Sequence, residues 1–223
     1  RYYALVSKNE MQIADLQTEI VSANVFKDPQ RGLPKIAELE ELADPDDHLL
    51  HQFILRSKAS LGKREDGQIV AYSLDEKLDM LFKAIRLTVP NFDIDAIEEG
   101  LYSIDEVKVI NHIATVYSDL KQHEKAIRIY DQLLQYINKH FQNILQSGGL
   151  LPLVAFNYAR ELDLIGRYTD AIEIAEIGWK ACTQYGQYRT LPSTIAIIAE
   201  CYHFLGQDEK SKKYYVSAFI FWK

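Results

Sequence analysis

Two histidines, His48 and His51, lie three residues apart beside Asp46 and Asp47, a spacing from which a helical metal site can start. Such a site needs at least a third protein ligand, and the sequence does not place one next to this pair. The two aspartates instead suit the first turn of a helix, where carboxylates complement the positive end of the helix dipole. We therefore predict a helix N-terminus here and no metal site.

The ten-residue segment NFDIDAIEEG, which starts at Asn91, alternates oxygen-bearing side chains in the manner of a calcium-binding loop. A calcium loop requires glycine at its sixth position for the sharp turn, and Ala96 occupies that position. The twelfth position also lacks the glutamate that would bind the ion with both oxygens. We predict a segment that caps a helix.

Enzymatic motifs are absent from the sequence, since GxxxxGK[ST], GxGxxG, GxSxG and HExxH do not occur. The adjacent carboxylates Glu40 with Glu41 and Glu98 with Glu99 would point about 100° apart on a helix, which suits a solvated face better than acid–base catalysis. Residues 148–149 are two glycines that we assign to a loop. We predict that the chain is not an enzyme and uses no cofactor.

Composition indicates which partners and which cellular location the chain could have. The 32 acidic residues exceed the 25 basic ones, which argues against direct binding of a phosphate backbone by these residues. Cys182 and Cys201 have no CxxC spacing, and no apolar run reaches the roughly 20 residues of a membrane span, so we expect a cytoplasmic protein without membrane contact. The sequence begins with Arg1, and Tyr2 to Val6 already has the composition of a helix, so we expect further residues upstream.

Helical periodicity dominates the chain, and three segments beginning at His112, Asn157 and Ile197 align with one another. Each has a small residue, a larger residue three positions later, a short polar break and a second small residue. The small residues are Ala114, Ala159 and Ala199 in the first helices and Ala126, Ala171 and Ser211 in the second helices. This pattern resembles the tetratricopeptide repeat, in which small residues let two antiparallel helices approach closely.

The resemblance implies an all-α fold, a tetratricopeptide-like right-handed superhelix of antiparallel helix pairs. We predict about ten helices, with capping boxes at Ser73 with Glu76 and Ser103 with Glu106 and a polar insertion, KREDGQ, from Lys63. The expected organisation is an N-terminal helix pair at 1–47 followed by repeats at 48–90 (eroded), 104–140, 152–184 and 192–223.

In such repeats the first helix of each pair lines the concave side, so the residues opposite its small residue are candidates for ligand binding. The candidates are Lys108, Asn111, Thr115 and Ser118; Phe156, Asn157, Arg160 and Asp163; Ala196, Glu200 and His203; and, further upstream, Gln52 and Arg56. The alternative is that these polar residues only keep exposed helix faces soluble.

Asparagine suits a peptide groove because its amide can donate to a peptide C=O and accept from a peptide N–H. We expect Asn111 and Asn157 to lie one repeat apart on one surface, with side chains pointing into open space. Arg160 could bind a carboxylate through two parallel hydrogen bonds.

Four stretches carry a more specific resemblance: LTVPNFDIDAIEEGLYSIDEVKVINHIA, EKAIRIYDQLLQYI, GRYTDAIEIAEIGWKAC and YRTLPSTIAIIAECYHFLG. They are similar to the C-terminal sensor domain of Cro/C1-type helix-turn-helix transcriptional regulators of the Rgg, PlcR and PrgX quorum-sensing type. The resemblance covers residues 74–223. It implies a DNA-binding helix-turn-helix upstream of Arg1, homodimers, and short signalling peptides bound through asparagines, for which Asn111 and Asn157 are the matching positions.

The leading interpretation is therefore the ligand-sensing, dimerising domain of a bacterial transcriptional regulator. The alternative is a stand-alone tetratricopeptide adaptor for a partner protein, and a third alternative is a response-regulator phosphatase or other enzyme.

Residues 219–222 in the terminal SAFIFWK are all apolar, more than one helix face can bury, so we predict a homodimer whose interface includes the final repeats.

Overall fold

The computed structural model describes the backbone of residues 7–141 and 144–222 and the side chains of residues 7–141 and 148–221. This part of the chain forms ten α-helices, one 3-10 helix and two short strands, which confirms the predicted all-α class and helix number. The chain divides into two compact units, residues 1–92 and 93–223. Tyr2 to Val6, for which the sequence predicts a helix, lies outside the described residues.

The first unit contains four helices: α1 (Lys8–Phe26), α2 (Pro29–Leu42), α3 (His48–Leu61) and α4 (Leu74–Thr88). One apolar core joins α1, α2 and α3, with Ile20, Leu39 and Ile54 at its centre. The predicted repeat boundary at 47/48 falls inside this unit and stays a prediction. The predicted capping box at the start of α4 is confirmed, because Ser73 and Glu76 each accept a hydrogen bond from the other's backbone N–H.

The described residues also contain one small hairpin. Strands β1 (Lys63–Glu65) and β2 (Gln68–Val70) pair antiparallel, and the predicted polar insertion supplies β1, the turn and the first residue of β2. The two turn residues, Asp66 and Gly67, have φ angles of 50° and 79°, as a two-residue hairpin turn with positive φ requires. Strands of three residues are too short to show the alternation from which a strand is predicted.

The second unit contains a 3-10 helix (Ile97–Glu99) and six helices. These are α5 (Ile104–Asp119), α6 (His123–His140), α7 (Ile144–Leu164), α8 (Tyr168–Tyr185), α9 (Leu191–Phe204) and α10 (Asp208–Trp222). They pack as the pairs α5–α6, α7–α8 and α9–α10, and the first helices also contact one another, α5 with α7 and α7 with α9. All six small residues of the aligned segments are buried. The tetratricopeptide-like architecture is therefore confirmed.

Two details of the second unit bear on the sequence predictions. Residues 148–149 were expected in a loop, and that prediction is wrong because they lie inside α7. Glycine costs a helix about 1 kcal/mol relative to alanine. The following Leu150 and Leu151 are both buried, and their burial offsets that cost. At the start of α5, Ser103 and Glu106 form the predicted capping box.

The side chains near the start of α3 that resemble the beginning of a metal site form hydrogen bonds with the backbone instead. Asp47 accepts a hydrogen bond from the Leu50 backbone N–H at 2.9 Å and so caps α3, while His51 Nε2 lies 3.0 Å from the Asp44 carbonyl oxygen. Within residues 7–141 and 148–221, no group of three or more His, Cys, Asp or Glu side chains is arranged to hold a metal ion. None of the helices in the described part of the chain is long and apolar enough to cross a membrane.

Candidate functional site

The site is centred on two asparagines from consecutive first helices. Asn111 on α5 and Asn157 on α7 are 7% and 8% exposed, and Asn157 Nδ2 donates a hydrogen bond to Asn111 Oδ1 at 3.1 Å. We call these two side chains the amide pair. The structure brings them together, but the expectation that they point into open space is wrong. Helices α5 and α7 pack directly against each other, and a buried amide without a partner is costly, so the two amides pair.

The amide pair keeps unused hydrogen-bonding capacity. An asparagine amide has two N–H donors and an oxygen with two lone pairs. Among the described residues, no group hydrogen-bonds the Asn111 Nδ2 atom or the Asn157 Oδ1 atom, and neither atom is completely enclosed. The pair thus offers one donor group and one acceptor group side by side. A peptide unit presents the complementary C=O and N–H.

Two uncharged side chains, Thr115 and the buried Tyr130, lie next to Asn111. Thr115 Oγ1 donates to the Asn111 carbonyl oxygen at 3.1 Å and lies 3.1 Å from the Tyr130 hydroxyl. Tyr130 comes from α6 and is fully buried, and that burial raises the pKa of its hydroxyl far above the ordinary value. The Tyr130 hydroxyl therefore stays protonated. Its contact with Thr115 fixes the position of that side chain, so α6, the second helix of the repeat, supports the site on α5.

Arg160 provides the positive charge of the site. It follows Asn157 by three residues on α7 and so lies on the same helix face. The side chain is half-buried, and its Nε atom is enclosed without a hydrogen-bond partner. Within the described residues, Arg160 forms no ion pair with a carboxylate. A buried donor left unpaired costs about 1 to 3 kcal/mol. The two terminal guanidinium nitrogens of Arg160 are not enclosed, so they are the atoms that a ligand oxygen could reach.

A second polar cluster joins α5, α6 and α7 and was not predicted. Glu161 on α7 is completely buried, Ser118 Oγ donates a hydrogen bond to its Oε2, and His123 Nδ1 lies 2.6 Å from its Oε1. Ser118, a predicted groove residue, is therefore buried and has a structural partner, which corrects that prediction. The Ser118 hydroxyl contacts the carboxylate and not the imidazole, and Ser118 is only 3% exposed.

The candidates on α9 lie near a third polar group. Cys201 Sγ donates to Asp163 Oδ1 at 3.2 Å. Burial raises the pKa of both the Asp163 carboxyl and the Cys201 thiol, and the contact with Asp163 raises the thiol pKa further. The pKa of Glu200 is also raised, by burial and then by the Asp163 charge. This end of the site is acidic, and a nearby cation would relieve the repulsion between the carboxylates.

Other predicted site residues have partners within the chain. Lys108 forms an ion pair with Asp105 at 2.8 Å, and His203 Nδ1 lies 3.1 Å from Asp208 Oδ1. Both contacts are exposed to solvent, so they hold the two side chains only weakly. Ala196 and Phe156 are half-buried on α9 and α7.

The two upstream candidates belong to the first unit. Gln52 is buried, and its Nε2 donates to the Ala84 carbonyl oxygen at 3.2 Å and to Thr88 Oγ1 at 2.7 Å. The predicted ligand-binding role of Gln52 is therefore corrected to a structural one, because its amide joins α3 to α4. The Arg56 guanidinium lies 6.0 Å from the Phe53 ring centroid on its own helix.

Comparison with known proteins agrees with this architecture. Residues 107–140, which cover most of α5 and all of α6, match the tetratricopeptide repeat family. Bacillus thuringiensis PlcR, in complex with the peptide PapR7 and DNA, is similar in structure with a TM-score of 0.74 and 16% identity, over 99% of this chain and 72% of PlcR. Apo PlcR gives a TM-score of 0.72 and 15% identity over 96% of this chain and 74% of PlcR.

BtubC (BKLC) from P. vanneervenii is a further similar structure, with a TM-score of 0.60 and 14% identity over 97% of this chain and 91% of that one. No curated protein sequence matches this chain. At these low identities, the structural similarities establish the tetratricopeptide-like fold.

Proposed function

We propose that this chain is the peptide-sensing and dimerising domain of a bacterial transcriptional regulator. The observation that carries the proposal is the amide pair, whose Asn111 Nδ2 and Asn157 Oδ1 are left without partners in the described part of the chain. One donor and one acceptor in adjacent positions suit the backbone of an extended peptide, whatever its side chains.

Arg160 gives the bound peptide an orientation. Its guanidinium lies one helical turn beyond Asn157, has no carboxylate partner among the described residues, and its two terminal nitrogens are not enclosed. A terminal or side-chain carboxylate of the peptide would pair with it. The acidic group of Asp163 and Glu200 lies further along α7 and α9, and its raised pKa values favour a positive charge beside it, such as a peptide amino terminus.

A role in transcription is supported by the structural similarity to PlcR, whose complex contains both a peptide and DNA. In this proposal, DNA is bound by a separate helix-turn-helix domain that precedes Arg1 in the regulator. The net charge of −7 fits a domain that leaves DNA contact to another one. An adaptor role uses the same helix face but requires a larger protein partner.

Dimerisation is proposed from α10. Val216, Phe219, Ile220 and Phe221 all expose more than half of their surface, although they are large apolar residues. The side chain of Trp222, part of the same predicted apolar run, lies outside the described residues. A contiguous apolar surface of this kind commonly forms an interface, and a second copy of the chain is the partner we propose.

The test is binding of a library of short fluorescent peptides, synthesised with either a free or an amidated carboxyl terminus and measured by fluorescence anisotropy. We expect hits that lose roughly five- to 150-fold in affinity in Asn157→Ala. For free-carboxylate peptides, Arg160→Gln should weaken binding more than it does for their amidated counterparts.

Asn138→Ala, which replaces an exposed asparagine on α6, is the matched control and should leave affinity unchanged. Hits that bind Asn157→Ala and Asn138→Ala as tightly as the wild type would refute the proposed site. Capture of a folded protein together with the absence of any peptide hit would favour the adaptor.

A further inference from the structure

A separate cleft lies within the first unit, between α2, the end of α3 and the hairpin. Its volume is about 320 Å³. The apolar lining comes from Leu33, Ile36, Ala37 and the ring of Tyr72. The polar lining comes from Glu40, Lys58, Lys63 and Arg64. The cleft thus combines an apolar floor with a rim that carries three cations and one carboxylate.

The hairpin wall of the cleft is held in place by close packing. Gly62 joins α3 to β1 with φ of 92°, and a Cβ at this position would lie 2.3 Å from the Val70 carbonyl oxygen. Only glycine allows the backbone to pass this close to its neighbour. Lys63 Nζ lies 5.3 Å from the Tyr72 ring centroid, a cation–π contact that also fixes the ring. The cleft is therefore built before any ligand enters.

The three cations of the rim differ in how far they are neutralised. Lys58 pairs with Glu40 at 2.5 Å, and Lys63 is shared between Glu65 and Glu76 at 3.6 and 3.7 Å. Arg64 has no carboxylate partner among the described residues, and its only hydrogen bond to them is a long one of 3.5 Å to Gln30 Oε1. Its guanidinium is thus available to bind an anion through two parallel hydrogen bonds.

We propose that this cleft binds a small carboxylate with an apolar tail, such as a medium-chain alkanoate. The carboxylate pairs with Arg64, and the tail lies against Leu33, Ala37 and Tyr72. A volume of about 320 Å³ is at the lower end of the roughly 300 to 1,000 Å³ of ligand pockets, which favours a small ligand over a peptide segment. The cleft belongs to the first unit, so this proposal does not depend on peptide binding in the second.

The experiment titrates octanoate into the full chain and follows saturation-transfer difference NMR signals and amide chemical shifts. Octylamine and octanol are the controls for charge, because each has the same tail with a different head group. We expect octanoate to bind, with shifts at Leu33, Ala37 and Tyr72, and octylamine to bind much more weakly. Absence of octanoate binding, or equal binding of the amine, would overturn the proposal.

Two variants locate the site. Arg64→Gln removes an exposed cation that has no carboxylate partner among the described residues, so folding should be unaffected while octanoate affinity falls about three- to tenfold. Ala37→Trp places a bulky ring in the cleft from an exposed position on α2 and should abolish binding. Lys83→Gln removes an exposed charge from α4, away from the cleft lining, and should bind like the wild type. Equal weakening in Arg64→Gln and Lys83→Gln would show a general charge effect and overturn the assignment.

Discussion

Asn157 donates a hydrogen bond to Asn111 across the contact between α5 and α7, so the proposed peptide-binding amides also join two consecutive repeats. Each amide uses one group for this bond and retains another for a ligand. Binding and stability are therefore linked at the same two side chains, and a loss of affinity in a variant has to be compared with its loss of stability.

Replacing Asn157 by alanine should lower the free energy of unfolding by about 1 to 2 kcal/mol, because Asn111 Oδ1 is then buried without its donor. Urea unfolding of Asn157→Ala beside Asn138→Ala measures the difference. A variant as stable as the control would show that the hydrogen bond contributes nothing in solution.

The double variant Asn111→Ala, Asn157→Ala should cost less than the sum of the two single variants, by about 1 kcal/mol, because removing the second amide leaves no additional partner unsatisfied. The measurement is a double-mutant cycle on the free energy of unfolding. Strict additivity would mean that the two amides do not interact.

The sequence was sufficient to predict the helix pairs of the repeats, but not the contacts between the first helices of consecutive repeats. Small residues such as Ala114 and Ala159, together with the capping box at Ser103, predicted the helix pairs because these signals are local. Periodicity identifies the face that a helix turns to its own partner, but it does not show where consecutive first helices meet. For that reason Asn111 was expected in open space, and the buried Glu161 was not recognised as a site residue.

A signal for Glu161 was present in the sequence. It lies between Arg160 and Leu162, two positions after the small residue Ala159, where an acidic side chain has little exposed surface available. Its partners Ser118 and His123 come from two other helices, 43 and 38 positions earlier in the chain. A local sequence pattern therefore could not identify Ser118 and His123 as the partners of Glu161.

Glu161→Ala should destabilise the second unit by about 2 to 3 kcal/mol, because Ser118 loses its acceptor in a buried position. Glu161→Gln should cost less, since its amide oxygen can still accept from Ser118. Glu173→Ala on α8 is the control, because this glutamate is exposed. The prediction is checked by denaturant unfolding, and it fails if Glu161→Ala and Glu173→Ala unfold at the same denaturant concentration.

Stability should also respond to pH through Asp163. Burial raises its carboxyl pKa above the ordinary value of 3.8, so the folded state binds a proton more readily than the unfolded state. Stability from this group is present below the unfolded pKa and is lost as the pH rises through the folded pKa. Asp163→Asn, which can still accept from Cys201, should therefore be more stable than the wild type at neutral pH.

The advantage of Asp163→Asn should shrink on acidification, because the folded wild-type carboxyl, whose pKa is raised, binds its proton before the unfolded one does. Unfolding free energies of both proteins from neutral to acidic pH provide the measurement. An advantage that grows on acidification would contradict the sign of the pKa shift.

The apolar surface of α10 predicts a dimer that a single charge disrupts. Val216 and Ile220 are 61% and 65% exposed and lie four residues apart, so they share one face of the helix. Placing a glutamate in an apolar interface buries an unpaired carboxylate, which costs several kcal/mol and should shift Ile220→Glu to monomer. Leu101→Glu is the matched control, because Leu101 is 81% exposed on the segment before α5. Light scattering coupled to size-exclusion chromatography should give twice the mass of one chain for the wild type and for Leu101→Glu. A wild type that is monomeric at every concentration, or a dimer that persists in Ile220→Glu, would exclude this face as the dimer interface.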